Sequence, residues 1–294
     1  MRFGSSFRFI SPVDGIFRHR PEISGRSTLN MSGESQNFGL RATQLGKRFS
    51  SKGGDVQALE NVDLEVKQGG FMSIIGPSGC GKSTLLRAFS DLVEPSTGEI
   101  SVNGKLPSEA RAAREFGVVF QSPNLLPWRT VLRNVTLPLQ VMGVDRQTRN
   151  QTAQEMLDLV GLESFSRHHP WQLSGGMQQR VAIARALSTN PSVLLMDEPF
   201  GALDEITRDR LNLELMRIWG NLSATILFIT HSITEAVFLS SQIAVMSSRP
   251  GRITELIDVN LPYPRNTETR DLPEFYELVI EVRRALVEAS ALTT

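Results

Sequence analysis

The nine residues Gly76-Pro77-Ser78-Gly79-Cys80-Gly81-Lys82-Ser83-Thr84 restrict what this chain can fold into more than any other stretch. They fit the phosphate-loop pattern G-x-x-x-x-G-K-[ST], with Gly76 and Gly81 as the fixed glycines, Lys82 as the cation and Ser83 as the magnesium hydroxyl. Glycines let the backbone curl until successive N–H groups face one anion, and a helix that begins there adds its positive end. The flanks meet that demand: Phe71–Ile75 is an apolar run of strand length, and Thr84–Ser90 carries Leu85, Leu86 and Phe89 at helical spacing. A strand, a glycine loop and a helix in this order predict an α/β fold built around a phosphate chain. Cys80 reads as filler within the loop and not as a nucleophile.

Composition narrows the setting. Of 294 residues, 40% are hydrophobic and 21% charged, ordinary for a globular chain with a proper core. Lys plus Arg and Asp plus Glu number 31 each, so no overall positive field points to nucleic acid. One cysteine cannot close an intramolecular disulfide, which points to a reducing compartment. No run reaches the ~18 apolar residues of a spanning helix. Work at a membrane therefore requires anchorage borrowed from a partner.

Residues 1–36 hold five arginines (Arg2, Arg8, Arg18, Arg20, Arg26) without sustained periodicity. They read as a mobile, disordered extension, with Met31 as an alternative start. Phe38-Gly-Leu40-Arg-Ala42 and Val62-Asp-Leu64-Glu-Val66 alternate in polarity around a turn at Ser50–Gly54, and Thr97–Gly104 repeats the style. An N-terminal antiparallel β subdomain is expected from them. Later, the apolar runs Phe116–Phe120, Ser192–Met196, Thr225–Thr230 and Ile243–Met246 alternate with helical stretches, the pattern of a mainly parallel sheet. A helical subdomain is inserted at about 122–187, where Ala153, Met156, Leu157 and Val160 form one stripe ended by Gly161. The nucleotide-binding domain then spans 37–262. A helical tail follows at 263–294, with Phe275, Val279, Val282 and Leu286 on one face.

Val193-Leu-Leu-Met-Asp197-Glu198 is an apolar strand ending in two acids. Beside a phosphate loop, that is where Asp197 makes a magnesium contact, usually through water. Pro199 biases Glu198 away from helical geometry. This holds the Glu198 carboxylate at the strand mouth as a candidate general base for an attacking water. Alone, the pair would read equally well as two solvated acids at a loop exit. Leu173-Ser-Gly-Gly-Met-Gln-Gln-Arg180 is more specific: Ser174 is a good N-cap for a helix carrying Met177, Val181, Ala184 and Leu187. Yet Gly175 and Gly176 at its start each cost about 1 kcal/mol relative to alanine. Bare backbone at a helix start suits close approach of an anion, so a phosphate contact is expected.

With these stretches in view, the chain resembles the ATP-binding cassette (ABC) ATPases from about Phe38 to Leu261. Gly76–Thr84 and Val193–Glu198 are similar to their Walker A and Walker B, and Ser174–Arg180 to their signature motif, with Met177 where Gln is usual. The resemblance implies a P-loop NTPase core, with ATP and Mg2+ as cofactors. It implies that Gln121 is the Q-loop glutamine touching magnesium or its water, and that Gly201-Ala-Leu-Asp204 is the D-loop. His231 resembles the switch histidine that senses the γ-phosphate. Phe49 stands where an aromatic residue, usually Tyr, stacks on adenine. Ser232 follows the histidine where many relatives have Asp, and it can still cap the next helix. Phe120–Val131, Met196–Asp204 and Ser248-Arg-Pro-Gly-Arg252-Ile resemble importer ATPases of the nitrate, sulfonate and taurine group.

The family further implies a homodimer in which each ATP lies between Walker A of one copy and Ser174, Gly175 and Gly176 of the other. Leu125, Leu126 and Trp128 form an apolar cluster, and transmembrane permease subunits are expected to dock near Gln121–Trp128. Packing inside the helical insert is the alternative reading of that cluster. A periplasmic or extracellular solute-binding protein is involved indirectly, nucleic acid is not expected, and the subunit sits peripherally on the cytoplasmic face of the inner membrane. The other function class is a soluble, non-transport ABC ATPase acting as a mechanical switch, for which a second cassette or sustained heptads would be expected and are not seen. A phosphate-loop kinase leaves Leu173–Arg180 unexplained.

Overall fold

The computed structural model describes residues 38–51, 54–201, 203–221 and 224–291; the expected extension at 1–36 lies outside them. The chain opens with two long strands, β1 (Phe38–Ser51) and β2 (Gly54–Lys67), followed by β3 (Phe71–Ile75) and α1 (Lys82–Phe89). Next come β4 (Thr97–Val102), α2 (Pro107–Ala112) and β5 (Phe116–Val119), then a helical stretch of α3 (Val131–Val135), α4 (Leu137–Val141), α5 (Arg146–Leu159) and α6 (Gly175–Leu187). The remainder alternates: β6 (Val193–Asp197), α7 (Glu205–Asn221), β7 (Thr225–Ile229), α8 (Ile233–Leu239), β8 (Gln242–Met246), β9 (Ile253–Asp258) and α9 (Pro273–Ala291).

The strands form two sheets. The smaller is antiparallel, in the order β2-β1-β4, and the larger runs β5-β6-β7-β3-β8-β9. All pairs of the larger sheet are parallel except β8 with the edge strand β9. The alternation at Phe38–Ala42 marks only the start of β1, which continues to Ser51 through several register shifts that bend it. β3, β6 and β7 are buried along their whole length, which accounts for their unbroken apolar runs. β9 was not foreseen: as an edge strand it exposes alternate residues, and its weak pattern is shared with loops.

Two cores flank the larger sheet. One lies between it and α3, α5, α6, α7, α8 and α9. The other is sandwiched between the two sheets around α1. The sheets meet closely at Gly39, where a Cβ would lie 2.2 Å from Thr225 Oγ1. Thr225 Oγ1 also accepts the Gly69 N–H at 3.0 Å, pinning the turn that feeds β3. In α5 the stripe at Ala153, Met156 and Leu157 is buried, Val160 caps its end, and Gly161 follows at a φ of 66°. In α9, Phe275 and Val282 are buried with Ala285 and Ala289, while Val279 and Leu286 are half-buried beside them. Among the described residues no helix is long and apolar enough to cross a membrane.

Candidate active site

Strand order assembles the site. In the sequence β5-β6-β7-β3, four adjacent strands deliver, at their carboxyl ends, Gln121, Asp197 with Glu198, His231, and the glycine loop. Ligands of open α/β sheets collect at this edge.

The loop between β3 and α1 has the conformation its glycines permit. Gly79 and Gly81 adopt φ values of 74° and 109°, in the left-handed region that side chains disfavour. A Cβ on Gly81 would lie 2.8 Å from the Ala58 carbonyl of β2, and one on Gly76 would lie 2.9 Å from the Met246 carbonyl of β8. Gly81 is also the N-cap of α1 and contributes no capping side chain, which leaves the first-turn amides to an anion. Ser78 is exposed, Pro77 and Thr84 are half-buried, and Cys80 is buried. Burial pushes the Cys80 thiol above its ordinary range despite the neighbouring Lys82 charge. Such a thiol is a poor nucleophile.

Lys82 carries the strongest signal. Its ammonium is 6% exposed and donates to the Gly76 carbonyl at 2.8 Å and the Pro77 carbonyl at 3.0 Å. Among the described residues no carboxylate lies within ion-pair distance of it. A buried cation held by two neutral carbonyls and the Cys80 sulfur at 3.9 Å is incompletely compensated, and a phosphate supplies the missing charge.

Opposite the loop, Ser83 Oγ donates to Asp197 Oδ1 at 3.0 Å. Asp197 is 7% exposed, and burial raises its carboxyl above the ordinary value, partly offset by the Ser83 hydrogen bond. Glu198 stands between two groups: Gln121 Nε2 donates to its Oε2 at 3.2 Å, and His231 Nδ1 lies 3.5 Å from the same oxygen. Glu198 does avoid the right-handed helix as the following proline requires, but its φ is 44°, in the left-handed region and not extended. The carbonyl of Glu198 accepts the Gly201 N–H at 3.2 Å, closing a turn directly after the strand. Holding a non-glycine residue there costs of order 1–3 kcal/mol, a strain found at functional positions. Ser232 caps α8 by accepting the Glu235 N–H at 3.3 Å.

Ser174 caps α6 by accepting the Met177 N–H at 3.3 Å. A Cβ on Gly175 would meet nothing within 4 Å, so that backbone is open. Gly176 is different: it is buried, and its Cβ would lie 3.2 Å from Leu203 Cδ2 and 3.4 Å from Thr207 Cγ2. Packing against the start of α7 is thus a second reason for Gly176 to be small, beside the anion approach expected of both glycines. No hydrogen bond among the described residues joins Ser174–Gly176 to Gly76–Thr84 within this chain. Asp204 is exposed and accepts the Thr207 N–H at 3.0 Å, which holds its carboxylate below the usual range and commits it to capping α7. Phe49 is 42% exposed near the end of β1, with Lys47 Nζ 5.1 Å from its ring centre.

One contact to the loop was missed by the sequence reading. Arg249 donates Nε and Nη2 to the Gly79 carbonyl at 3.3 and 3.1 Å. Gly251 of the same β8–β9 turn pairs with Ala58 and Glu60 of β2, and its Cβ would lie 2.1 Å from the Cys80 carbonyl. Pro250-Gly251 signals a turn, yet its destination, 170 residues back at the phosphate loop, is a tertiary fact.

Comparison with known proteins gives the family of this chain. Residues 59–201 match the ABC transporter family. A taurine import ATP-binding protein of Rhizobium johnstonii is 47% identical over 240 residues, covering 80% of this chain and 90% of that protein. A nitrate import ATP-binding protein of a Synechocystis species is 45% identical over 253 residues, covering 84% and 94%. Among solved structures, a dimeric bacterial ABC transporter cassette superposes with a TM-score of 0.68 at 36% identity, over 75% of this chain and 99% of that one. The same cassette has been solved as a dimer in a post-hydrolysis state bound to ADP and Pi. The chain belongs to the ABC transporter family, as one of its ATP-binding ATPase cassettes.

Proposed function

We propose that this chain is the ATP-hydrolysing subunit of an importer for a small anionic solute such as nitrate, an alkanesulfonate or taurine. The observation that carries the site reading is Lys82, a buried ammonium at the mouth of a glycine loop with no carboxylate at ion-pair distance among the described residues. The solute class follows the names of the relatives that match most of the chain. In this reading Lys82 and the loop amides hold the β- and γ-phosphates, and Phe49 stacks on adenine. Glu198 takes a proton from the attacking water, while Gln121 and His231 fix its carboxylate and His231 faces the γ-phosphate.

The donor set suits magnesium: the Ser83 hydroxyl, the Asp197 carboxylate and the Gln121 amide are hard oxygen groups, and Ser83 and Asp197 already lie 3.0 Å apart. When bound, the ion would neutralise charge on the phosphates. A site of this type uses one or two carboxylates with the phosphates themselves, so it needs no cluster of acidic or histidine ligands.

Ser174, Gly175 and Gly176 act on the ATP held by a second copy, an arrangement favoured by the open backbone at Gly175 and the dimeric form of the similar cassette. The permease is received at the Gln121–Trp128 stretch. Trp128 is 71% exposed while Leu125 packs on the core, so the apolar cluster is divided between solvent and interior. Beside it, a cleft of about 570 Å³ is lined by Phe116, Phe120, Asn124, Leu137 and Val141. α6 grips the same stretch: Gln179 donates to the Phe120 carbonyl, and Arg185 donates to the carbonyls of Pro123 and Asn124. Force at the permease surface thereby reaches the helix that begins at Ser174. The subunit accordingly works peripherally, on the membrane face where ATP is present, with its anchorage supplied by the permease.

Mixing two inactive variants tests the composite site. Ser174→Arg and Lys82→Ala proteins are expected to be inactive alone, and a mixed dimer keeps one intact site and regains ATP turnover. Full turnover by either variant alone, or no recovery on mixing, overturns the arrangement. Purifying the membrane complex through this subunit, and measuring which anion stimulates turnover, tests the solute class.

A further inference from the structure

Behind His231 lies a buried polar cluster with no part in the reaction described above. Thr230 Oγ1 accepts the Ser232 N–H at 3.0 Å and donates its hydroxyl to Glu235 Oε2 on α8. Glu235 is 5% exposed, and its other oxygen, Oε1, has no hydrogen-bond partner. Asn212 on α7 is 1% exposed, and both its Nδ2 and Oδ1 are likewise without partners. Its amide is near enough to Glu235 to lower the carboxyl, yet the two side chains do not meet in hydrogen-bond geometry. Burial raises the Glu235 carboxyl, opposed by the Thr230 hydroxyl and by the Arg208 and His231 charges.

An unpaired buried donor and an unpaired buried acceptor are each unfavourable, and the contact that relieves both is between Asn212 and Glu235. These two residues sit on packed helices that start at the two loops flanking Glu198. α7 begins after Asp204, and Arg208 ties it to that loop by donating to the carbonyls of Phe200 and Leu203. α8 begins after His231, whose peptide is held through Ser232 and Thr230 by Glu235 itself.

We propose that Asn212 and Glu235 are positioning residues that couple the Asp204 loop to His231, through an Asn212 Nδ2 to Glu235 Oε1 hydrogen bond made when the ATP site closes. The inference rests on the reading of His231 as the group facing the γ-phosphate. Formation of the bond fixes Glu235, and with it Thr230 and the backbone carrying His231, in register with the loop that a second copy presses upon.

The test is steady-state ATP turnover by the full-length protein carrying Asn212→Leu, Glu235→Leu, both together, or Glu235→Gln, with His231→Ala alongside. Each leucine variant is expected to lower kcat about tenfold with KM for ATP unchanged, the loss of one well-placed hydrogen bond. The double variant should be no worse than the poorer single one. Glu235→Gln keeps an acceptor for Thr230 and an amide that can pair with Asn212, and should restore kcat to within about threefold of wild type. It also stands as the folded comparison if Glu235→Leu unfolds, and Asn212→Ser serves that purpose for Asn212→Leu. Losses that multiply in the double variant, a change in KM alone, or Glu235→Gln as impaired as Glu235→Leu would each overturn the link while leaving the His231 reading intact. Full turnover in His231→Ala would instead overturn that reading, and with it the destination of the link.

Discussion

Replacing Gly175 with alanine sets local stability against turnover, because the two demands on this residue have opposite signs. Gly175 opens α6, its φ is not in the left-handed region, and an added Cβ meets nothing within 4 Å. Alanine at such a helical position is favoured over glycine by about 0.5–1 kcal/mol, in part because it restricts the unfolded chain. In a domain of this size 1 kcal/mol moves Tm by about 2–4 °C, so the isolated subunit should melt about 1–4 °C higher. The same methyl group covers backbone next to the Ser174 hydroxyl, where a phosphate held by the other copy must approach the first amides of the helix. Loss of one charge-assisted hydrogen bond of about 1.5–3 kcal/mol lowers turnover about ten- to hundredfold. Thermal unfolding without nucleotide gives the first number, and phosphate release at saturating ATP gives the second. Gly220→Ala, near the end of α7 and equally open, is the control: it should gain stability and keep full turnover. Wild-type turnover in Gly175→Ala would refute the phosphate contact, and a lower Tm would refute the packing on which the argument stands.

Glu198→Gln should still bind ATP in equilibrium titration, while steady phosphate release falls at least about a hundredfold; undiminished hydrolysis would remove Glu198 as the base. Arg249→Gln withdraws the guanidinium from the Gly79 carbonyl and should weaken ATP binding about three- to tenfold with kcat at saturation little changed. Unaltered affinity would show that the loop keeps its shape without it. Burial raises the Glu235 carboxyl above its ordinary 4.5, so the native state holds this proton more tightly than the unfolded chain. The stability so contributed is complete below about pH 4.5 and is lost as pH rises through the folded value. Glu235→Gln should therefore gain stability relative to wild type in urea unfolding at about pH 7.5 compared with about pH 4.5; an equal difference at both values would refute the assignment of the loss to Glu235.

Much of this site was legible in the chain because its parts are local. Gly76–Thr84 could be read from neighbours, since the glycines, the cation and the flanking strand and helix are contiguous and each answers to one bound phosphate chain. Ser174 was legible as a cap for the same reason. β3, β6 and β7 announced themselves through burial on both faces, whereas β9, with alternate residues exposed, did not. Gly176 shows the limit of composition: two adjacent glycines look alike in sequence, yet one is open and the other is wedged against Leu203. The positive φ of Glu198 was equally out of reach, because a following proline disfavours the right-handed helix without selecting among the other basins.

The amino-acid sequence by itself determined the fold class and the glycine loop, since these depend on backbone freedom and side-chain chemistry over a few residues, whereas Gln121 and His231 became candidates only through the family resemblance. Only the tertiary structure decided that Glu198 receives Gln121 and His231 on one oxygen, that Arg249 braces Gly79, and that Asn212 lies unpaired beside Glu235. Those contacts depend on strand order and helix packing, which join segments up to 170 residues apart. Such pairings are set by how the two cores close around the larger sheet, and no local pattern encodes them.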